Sequence, residues 1–229
     1  MSGDVVLVPG LWMPGAAMVL LARLLARAGY AVRIFRYRGR TPIEANIERL
    51  ARFAREAFDG RPTHFVGHSL GGVLVLEMLN RHAEVAAASA VLLGSPVRGC
   101  YAGRRLGRVG VGRWMMGASR SLWDERAGER LPAWKRTTPL GVIAGTLPLG
   151  LGRILGRLPG PNDGVVCVSE TVVDGMTDQA LLPLGHSSLI ASRRVAELIK
   201  RFIASSSRAG MITEARGKPG TSRTFSNSA

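Results

Sequence analysis

The stretch GHSLGG, residues 67–72, directly follows the apolar run THFV at residues 63–66. The run has the pattern of a buried strand, and residues 70–83 have that of a helix apolar on almost every side. A serine between glycines at a strand-to-helix turn is typical of a nucleophile elbow, where the serine hydroxyl stands free above a sheet. An ordinary glycine-rich turn is the alternative interpretation of the same residues.

Strand and helix patterns alternate on both sides of this stretch. The 229 residues are 46% hydrophobic, enough for one sizeable domain with a core. Helical spacing of apolar residues predicts three further helices, at about 17–28, 43–58 and 191–202. We therefore predict an α/β fold with a mostly parallel sheet flanked by helices. Its strands are expected at residues 4–8, 31–37, 63–69, 86–96, 140–146 and 164–171.

A serine hydroxyl is a weak nucleophile unless a base takes its proton, and the chain has four histidines. His64 lies inside the strand before the turn, and His82 ends the following helix, about four turns from the serine. The side chain of His68 should point away from the hydroxyl of its neighbour Ser69. His186, in the loop PLGHSSLI before the last helix, is the candidate base, with an ordinary surface loop histidine as the alternative.

The base needs a carboxylate to fix its tautomer. Asp163 lies in an Asn-Asp-Gly turn at the predicted edge of the sheet and is the first candidate. Asp174 and Asp178 are nearer to His186 in sequence and stay open as alternatives. Asp163 gives the chain order serine, aspartate, histidine.

Four motifs together resemble the α/β-hydrolase superfamily, and most of all small bacterial lipase-like and esterase-like serine hydrolases. They are VPGLW after the first strand, GHSLGG at the turn, NDGVV at the acid and GHSSLI at the base. The resemblance runs from about Val5 to Phe202. It implies catalytic residues at the carboxyl edge of the sheet, no metal and no organic cofactor.

The resemblance also implies an oxyanion hole made of backbone N–H groups. Leu70, after the nucleophile, should supply one donor. The second should come from the loop after the first strand, from Leu11 or alternatively from Trp12. This chain has Pro9-Gly10 where lipase-like enzymes often have His-Gly, so a side chain that often braces the loop is missing.

Residues 98–138 interrupt the alternation with a basic, glycine-rich segment, and we predict that this segment is a cap or lid inserted over the site. Trp114, Met115 and Trp123 are candidate substrate-binding residues that would line an acyl-chain pocket. The alternative is that they form the core of the cap itself. Trp12 and His68 are further candidate substrate contacts.

The predicted hydrolase domain covers residues 1–204, and residues 205–229, rich in serine, glycine and charge, are expected to form a disordered tail. No charged start followed by an apolar segment precedes the first strand, so we predict a cytoplasmic protein. Two cysteines far apart in sequence favour neither a disulfide framework nor a metal site.

The formal net charge is +15, and most of the basic residues are arginine. It indicates either a solvated basic surface or attraction to anionic membrane surfaces or acidic substrates. The chain has no recognised nucleic-acid-binding motif, so we expect no nucleic-acid partner.

The expected function is hydrolysis of carboxylic esters, with a small-molecule or lipid-like substrate and an acyl-enzyme on Ser69. The same residues would serve a thioesterase or an acyltransferase. A non-catalytic binding protein of the same fold and a membrane-surface adaptor are alternatives from other classes.

Overall fold

The computed structural model describes residues 3–11, 13, 15–39, 41–107, 133–149 and 158–216, and its central feature is a six-stranded sheet. Every neighbouring pair of strands is parallel, in the order β2-β1-β3-β4-β5-β6. This confirms the predicted mostly parallel α/β fold. The strands are β1 (Asp4–Val8), β2 (Ala31–Ile34), β3 (Thr63–His68), β4 (Ala87–Leu93), β5 (Leu140–Gly145) and β6 (Asp178–Leu182).

Helices cover both faces of the sheet, because successive strand residues point to opposite sides. In β1, Val6 and Val8 join the core under one pair of helices, while Val5 and Leu7 join the core under another pair. The helices are α1 (Val19–Arg27), α2 (Ile43–Ala57), α3 (Leu70–Arg81), α4 (Tyr101–Gly107) and α5 (Arg193–Arg216). The first core packs on α2 and α3, and the second on α1 and α5.

The predicted strand at residues 164–171 is wrong. Its second half forms a short 3-10 helix, Val168–Thr171, and the sixth strand is β6 further along the chain. Local side chains take up backbone donors of this segment, since Asp163 accepts from Val166 N–H and Glu170 accepts from Cys167 N–H. Such bonds compete with pairing in a sheet.

The last helix continues beyond the predicted start of the tail at Ser205 and ends at Arg216. The hydroxyls of Ser205 and Ser206 both donate to the carbonyl of Phe202, one turn earlier. Because the two hydroxyls bond to the helix itself, they do not draw the backbone into a turn. Residues 217–229 lie outside the described residues.

No helix in the described parts of the chain is long and apolar enough to cross a membrane.

Candidate active site

Ser69 occupies a strained turn between β3 and α3. Its backbone has φ 53° and ψ −126°, a conformation that residues with a Cβ rarely adopt. Glycine neighbours impose the turn: a Cβ on Gly67 would overlap the backbone of Gly72, and a Cβ on Gly71 would overlap the carbonyl of Val8. The strand and the helix therefore meet as closely as the sequence motif predicts.

Asp163 and His186 form a buried pair beside this turn. Oδ2 of Asp163 lies 2.7 Å from Nδ1 of His186. The aspartate side chain is 1% exposed and the histidine side chain 12% exposed. Since the carboxylate occupies Nδ1, the second ring nitrogen of His186, Nε2, is left for another partner.

The loop that carries Asp163 is built to hold its carboxylate. Oδ1 accepts N–H bonds from Val165 at 2.9 Å and Val166 at 2.7 Å. The backbone carbonyl of Asp163 also accepts the N–H of His186 at 2.9 Å, so the two residues are joined twice. The oxygen that faces the imidazole is therefore fixed from behind.

The rival residues lie elsewhere in the fold. Asp178 begins β6 at the amino edge of the sheet and pairs with Gly141, whereas His186 follows the carboxyl end of β6. Asp174 is exposed and its carbonyl accepts the N–H of Trp134. Of the three aspartates, Asp163 is the one that the structure brings to His186.

The other two rival histidines are also engaged away from Ser69. His64 lies near the start of β3 and its Nδ1 is 2.8 Å from Oγ of Ser89. Burial lowers the pKa of His64 to about 4. His82 follows the end of α3, between the carboxylates of Glu48 and Glu84.

Gly94, directly after β4, lies between the turn and the pair. The N–H of Ser69 donates to the carbonyl of Leu93 at 2.9 Å, which ties the turn to the end of β4. A Cβ on Gly94 would lie 2.9 Å from Oδ2 of Asp163 and 3.3 Å from Nδ1 of His186. Ser69, Asp163 and His186 thus all lie at the carboxyl end of β4, Ser69 against Leu93 and the pair against Gly94.

No hydrogen bond between these described residues joins the hydroxyl of Ser69 to the ring of His186. Bonds of this kind are often long in a site without substrate and tighten when substrate binds. The hydroxyl of Ser69 and the imidazole of His186 lie on neighbouring segments at the carboxyl edge of the sheet.

The loop after β1 passes directly beside Ser69. A Cβ on Gly10 would lie 3.0 Å from Cβ of Ser69. Leu11 is the next residue of the loop after this contact. Leu70 is the first residue of α3, where backbone N–H groups have no partner inside the helix. The backbone N–H groups of Leu11 and Leu70 donate to no other described residue. Trp12 lies outside the described residues.

Tyr37 braces this loop, a role that the sequence analysis missed. Its hydroxyl donates to the carbonyl of Pro9 at 3.0 Å, and its ring stacks on Phe35 with centroids 5.9 Å apart. Burial raises the pKa of Tyr37 well above its usual value, so the hydroxyl keeps its proton. Tyr37 lies in a run predicted to be a strand, and no local signal marks its distant partner.

His68 is buried against the ring of His186. The side chain is almost inaccessible, with 1% of the residue exposed. Nε2 lies 3.1 Å from the carbonyl oxygen of His186, and the two ring centroids are 4.7 Å apart. A ring so enclosed has little surface for the substrate contact predicted from the sequence. The other candidate substrate residues, Trp114, Met115 and Trp123, lie outside the described residues.

The chain matches a known protein family. A model described as the alpha/beta hydrolase family matches residues 5–145. The chain belongs to this family. The resemblance drawn from the four sequence motifs is thereby confirmed, and a search of curated proteins found no significant match.

Solved alpha/beta hydrolase structures share the fold at low sequence identity. A metagenomic carboxyl esterase is 20% identical with a TM-score of 0.62, over 88% of this chain and 75% of the esterase. ClbQ from the colibactin NRPS/PKS pathway is 13% identical with a TM-score of 0.65, over 90% and 99%. The RedJ thioesterase of the prodiginine biosynthetic pathway in Streptomyces coelicolor is 14% identical with a TM-score of 0.56, over 89% of each chain.

Gly94→Ala should disturb the Asp163–His186 hydrogen bond of this alpha/beta hydrolase. The new Cβ would contact both partners of the bond, and φ of +50° adds a backbone cost of about 1 kcal/mol. We expect the low-field imidazole N–H proton resonance of wild type to shift or disappear.

Gly29→Ala is the matched control. Gly29 also has a positive φ, +91°, but a Cβ there would meet nothing within 4 Å. The free energy of unfolding of this variant should fall by a similar amount, and the low-field resonance should remain. An unchanged resonance in folded Gly94→Ala would contradict the prediction.

Proposed function

We propose that the protein is a serine hydrolase that cleaves carboxylic esters through an acyl-enzyme, with Ser69 as nucleophile, His186 as base and Asp163 as the orienting acid. Membership of the alpha/beta hydrolase family supports the reaction class. The strained backbone of Ser69 supports its role, because such strain persists only where the surrounding structure enforces it.

The observation that carries the proposal is the buried Asp163–His186 pair. The carboxylate lies 2.7 Å from Nδ1, which fixes the neutral tautomer with its proton on Nδ1. Nε2 then has a free lone pair and can take a proton. A carboxylate at this distance also stabilises the imidazolium that forms when it does so.

The reaction follows from this arrangement. Nε2 of His186 takes the hydroxyl proton as Oγ of Ser69 attacks the ester carbonyl carbon, and the carbonyl electron pair moves to oxygen. When the carbonyl re-forms, the bond to the alcohol oxygen breaks and Nε2 returns the proton to that oxygen. Water then attacks the acyl-serine by the same route, which releases the acid and restores Ser69.

Leu70 and Leu11 are proposed to stabilise the oxyanion through their backbone N–H groups. The N–H of Leu70 belongs to the first turn of α3, which carries the positive end of the helix dipole. The loop before Leu11 is held by Tyr37 through Pro9, so its donor is fixed before the reaction begins. Pre-set donors of this kind supply much of the rate enhancement in acyl transfer.

Thioester hydrolysis is the second candidate function. The solved structures of similar fold include a carboxyl esterase and a thioesterase, and the proposed residues would serve either substrate. Acyl transfer to an alcohol needs no further residue. Contact with an anionic membrane surface and a cytoplasmic location stay predictions from the sequence.

Ser69→Ala should abolish ester hydrolysis and keep the fold. Loss of a triad serine costs on the order of 10⁶ in kcat elsewhere. The change removes one oxygen from a half-buried turn and leaves the backbone strain as it was. We would measure hydrolysis of p-nitrophenyl esters and labelling by a fluorophosphonate probe.

Ser187→Ala is the control, since Ser187 is exposed and adjacent to His186. It should retain activity and labelling. Hydrolysis by folded Ser69→Ala at the wild-type rate would refute the proposed nucleophile, and absence of both hydrolysis and labelling in wild type would favour a non-catalytic binding protein.

Asp163→Asn should lower kcat by about 10⁴, as for the equivalent change in a well-studied protease. The amide oxygen can still accept from Val165 and Val166, which turns the amide NH₂ toward His186. Nδ1 must then accept, the ring proton moves to Nε2, and the base is blocked. Asp174→Asn and Asp178→Asn alter exposed aspartates away from His186 and should keep activity. The opposite pattern would transfer the role to one of them.

The proposed function expects oxygen esters to be cleaved at least as efficiently as thioesters of the same acyl group. The comparison uses kcat/KM divided by the rate constant for hydroxide hydrolysis of each substrate, because thioesters are intrinsically more reactive. A corrected preference of more than about tenfold, or 1.4 kcal/mol, for the thioester would make thioester hydrolysis the better assignment.

A further inference from the structure

His68 is a buried histidine beside the nucleophile that the proposed reaction does not use. Its Nε2 lies 3.1 Å from the carbonyl oxygen of His186. A carbonyl oxygen can only accept, so Nε2 must carry the hydrogen and Nδ1 the lone pair. The ring therefore donates to the backbone of the very residue that acts as base.

His186 also makes two hydrogen bonds to Asp163. Its N–H donates to the carbonyl of Asp163 and its Nδ1 to the carboxylate. These bonds fix His186 relative to the acid loop and say nothing about its position relative to Ser69. The bond from His68 is different, because His68 and Ser69 are neighbours in the chain and their Cα atoms are about 3.8 Å apart.

We propose that His68 is a positioning residue that ties the loop of His186 to the strand of the nucleophile, so that Nε2 of His186 faces Oγ of Ser69. The inference rests on the proposed function. It differs from the substrate contact predicted from the sequence, since the ring is enclosed by protein.

Packing and charge agree with this role. The two imidazole rings lie 4.7 Å apart, and on the other side a Cβ on Gly10 would lie 3.1 Å from Nδ1 of His68. The ring thus fills the space between the base and the loop after β1. Burial, and then the nearby charge of His186, lower the pKa of His68 to about 3. A neutral ring does not repel His186 when that residue becomes an imidazolium.

Three variants separate the hydrogen bond from the packing. His68→Gln keeps an N–H donor at about the position of Nε2, His68→Met has a similar unbranched length without the donor, and His68→Phe keeps a ring without the donor. Steady-state kinetics on a p-nitrophenyl ester would be measured for each, together with the low-field proton of the Asp163–His186 bond.

We expect His68→Met and His68→Phe to lower kcat by about 10²-fold, the effect of a misplacement near 1 Å. KM should change little, because His68 does not touch substrate. The kcat of His68→Gln should be at least about tenfold higher than the kcat of His68→Met or His68→Phe. The low-field proton should persist in all three, because the bond to Asp163 is made independently of His68.

Two kinetic patterns would overturn the proposal. Equal kcat in His68→Gln, His68→Phe and His68→Met would mean that the donor is irrelevant. A raised KM with unchanged kcat would mean that His68 contacts substrate. Ser69→Ala distinguishes these failures from failure of the proposed function, since hydrolysis that survives Ser69→Ala overturns the triad itself.

A measurement on wild type keeps the test open if the variants do not fold. Nitrogen NMR shifts of the histidine rings should identify His68 as neutral with its hydrogen on Nε2 at pH 7. A hydrogen on Nδ1, or a charged ring, would be incompatible with donation to the carbonyl of His186 and would overturn the proposal.

Discussion

The buried carboxylate of Asp163 constrains the whole carboxyl edge of the sheet. A charge with 1% of its surface exposed is costly unless it is paired and hydrogen-bonded. Two backbone donors of the following residues and the imidazole of His186 meet that need. The segment after Asp163 therefore turns back on itself instead of entering the sheet, and the last strand is taken from Asp178–Leu182. His186 follows the end of that strand, so the edge strand and the bond to Asp163 together position the imidazole.

The second constraint is steric and lies at Ser69. The glycines on either side let β3, α3 and the end of β1 approach so closely that a Cβ at Gly67 or Gly71 would overlap backbone. Ser69 is left with a positive φ, at a cost on the order of 1–3 kcal/mol. The surrounding cores must offset this cost, and they do so with apolar strands that are buried on both faces. Among the described residues other than glycine, Ser69 shares a positive φ with Asp59, but only Ser69 lies in the turn between β3 and α3.

Much of this arrangement could be predicted from local pattern. The elbow and five of the six strands follow from periodicity and from turn residues. The sequence left three aspartates as candidates, and the structure brings Asp163 to His186. The false strand at 164–171 has a physical origin, which is that side chains compete for backbone groups in ways that hydrophobic pattern does not show. The apolar residues at 164–168 have a strand pattern, but Asp163 and Glu170 accept their backbone N–H groups. The strand β6 gives a weak signal, because three of its five residues are exposed and two of those are polar.

Long-range contacts explain what the sequence analysis missed at the site. Nothing in the sequence distinguishes Gly94 from other glycines, and its role arises only because the fold brings Asp163 and His186 against it. Tyr37 braces Pro9 across 28 residues of chain, in a loop that lacks the histidine often found there in lipase-like enzymes. Neither role has a local signature, because each depends on which segments the parallel sheet brings together.

The acid loop also anchors the start of the segment that leaves the site. The carboxylate of Glu170 accepts from the backbone N–H of Tyr101, at the start of α4, and from that of Cys167, and its own carbonyl accepts from Arg98 N–H. Burial raises the pKa of Glu170, and the two N–H donors oppose that rise by stabilising the charged form. These bonds fasten residues 98–101 to the loop that carries the acid. Of the two parts of the proposed site, the one that holds the imidazole also holds the start of α4, whereas Ser69 is bonded to the end of β4 and to the first turn of α3.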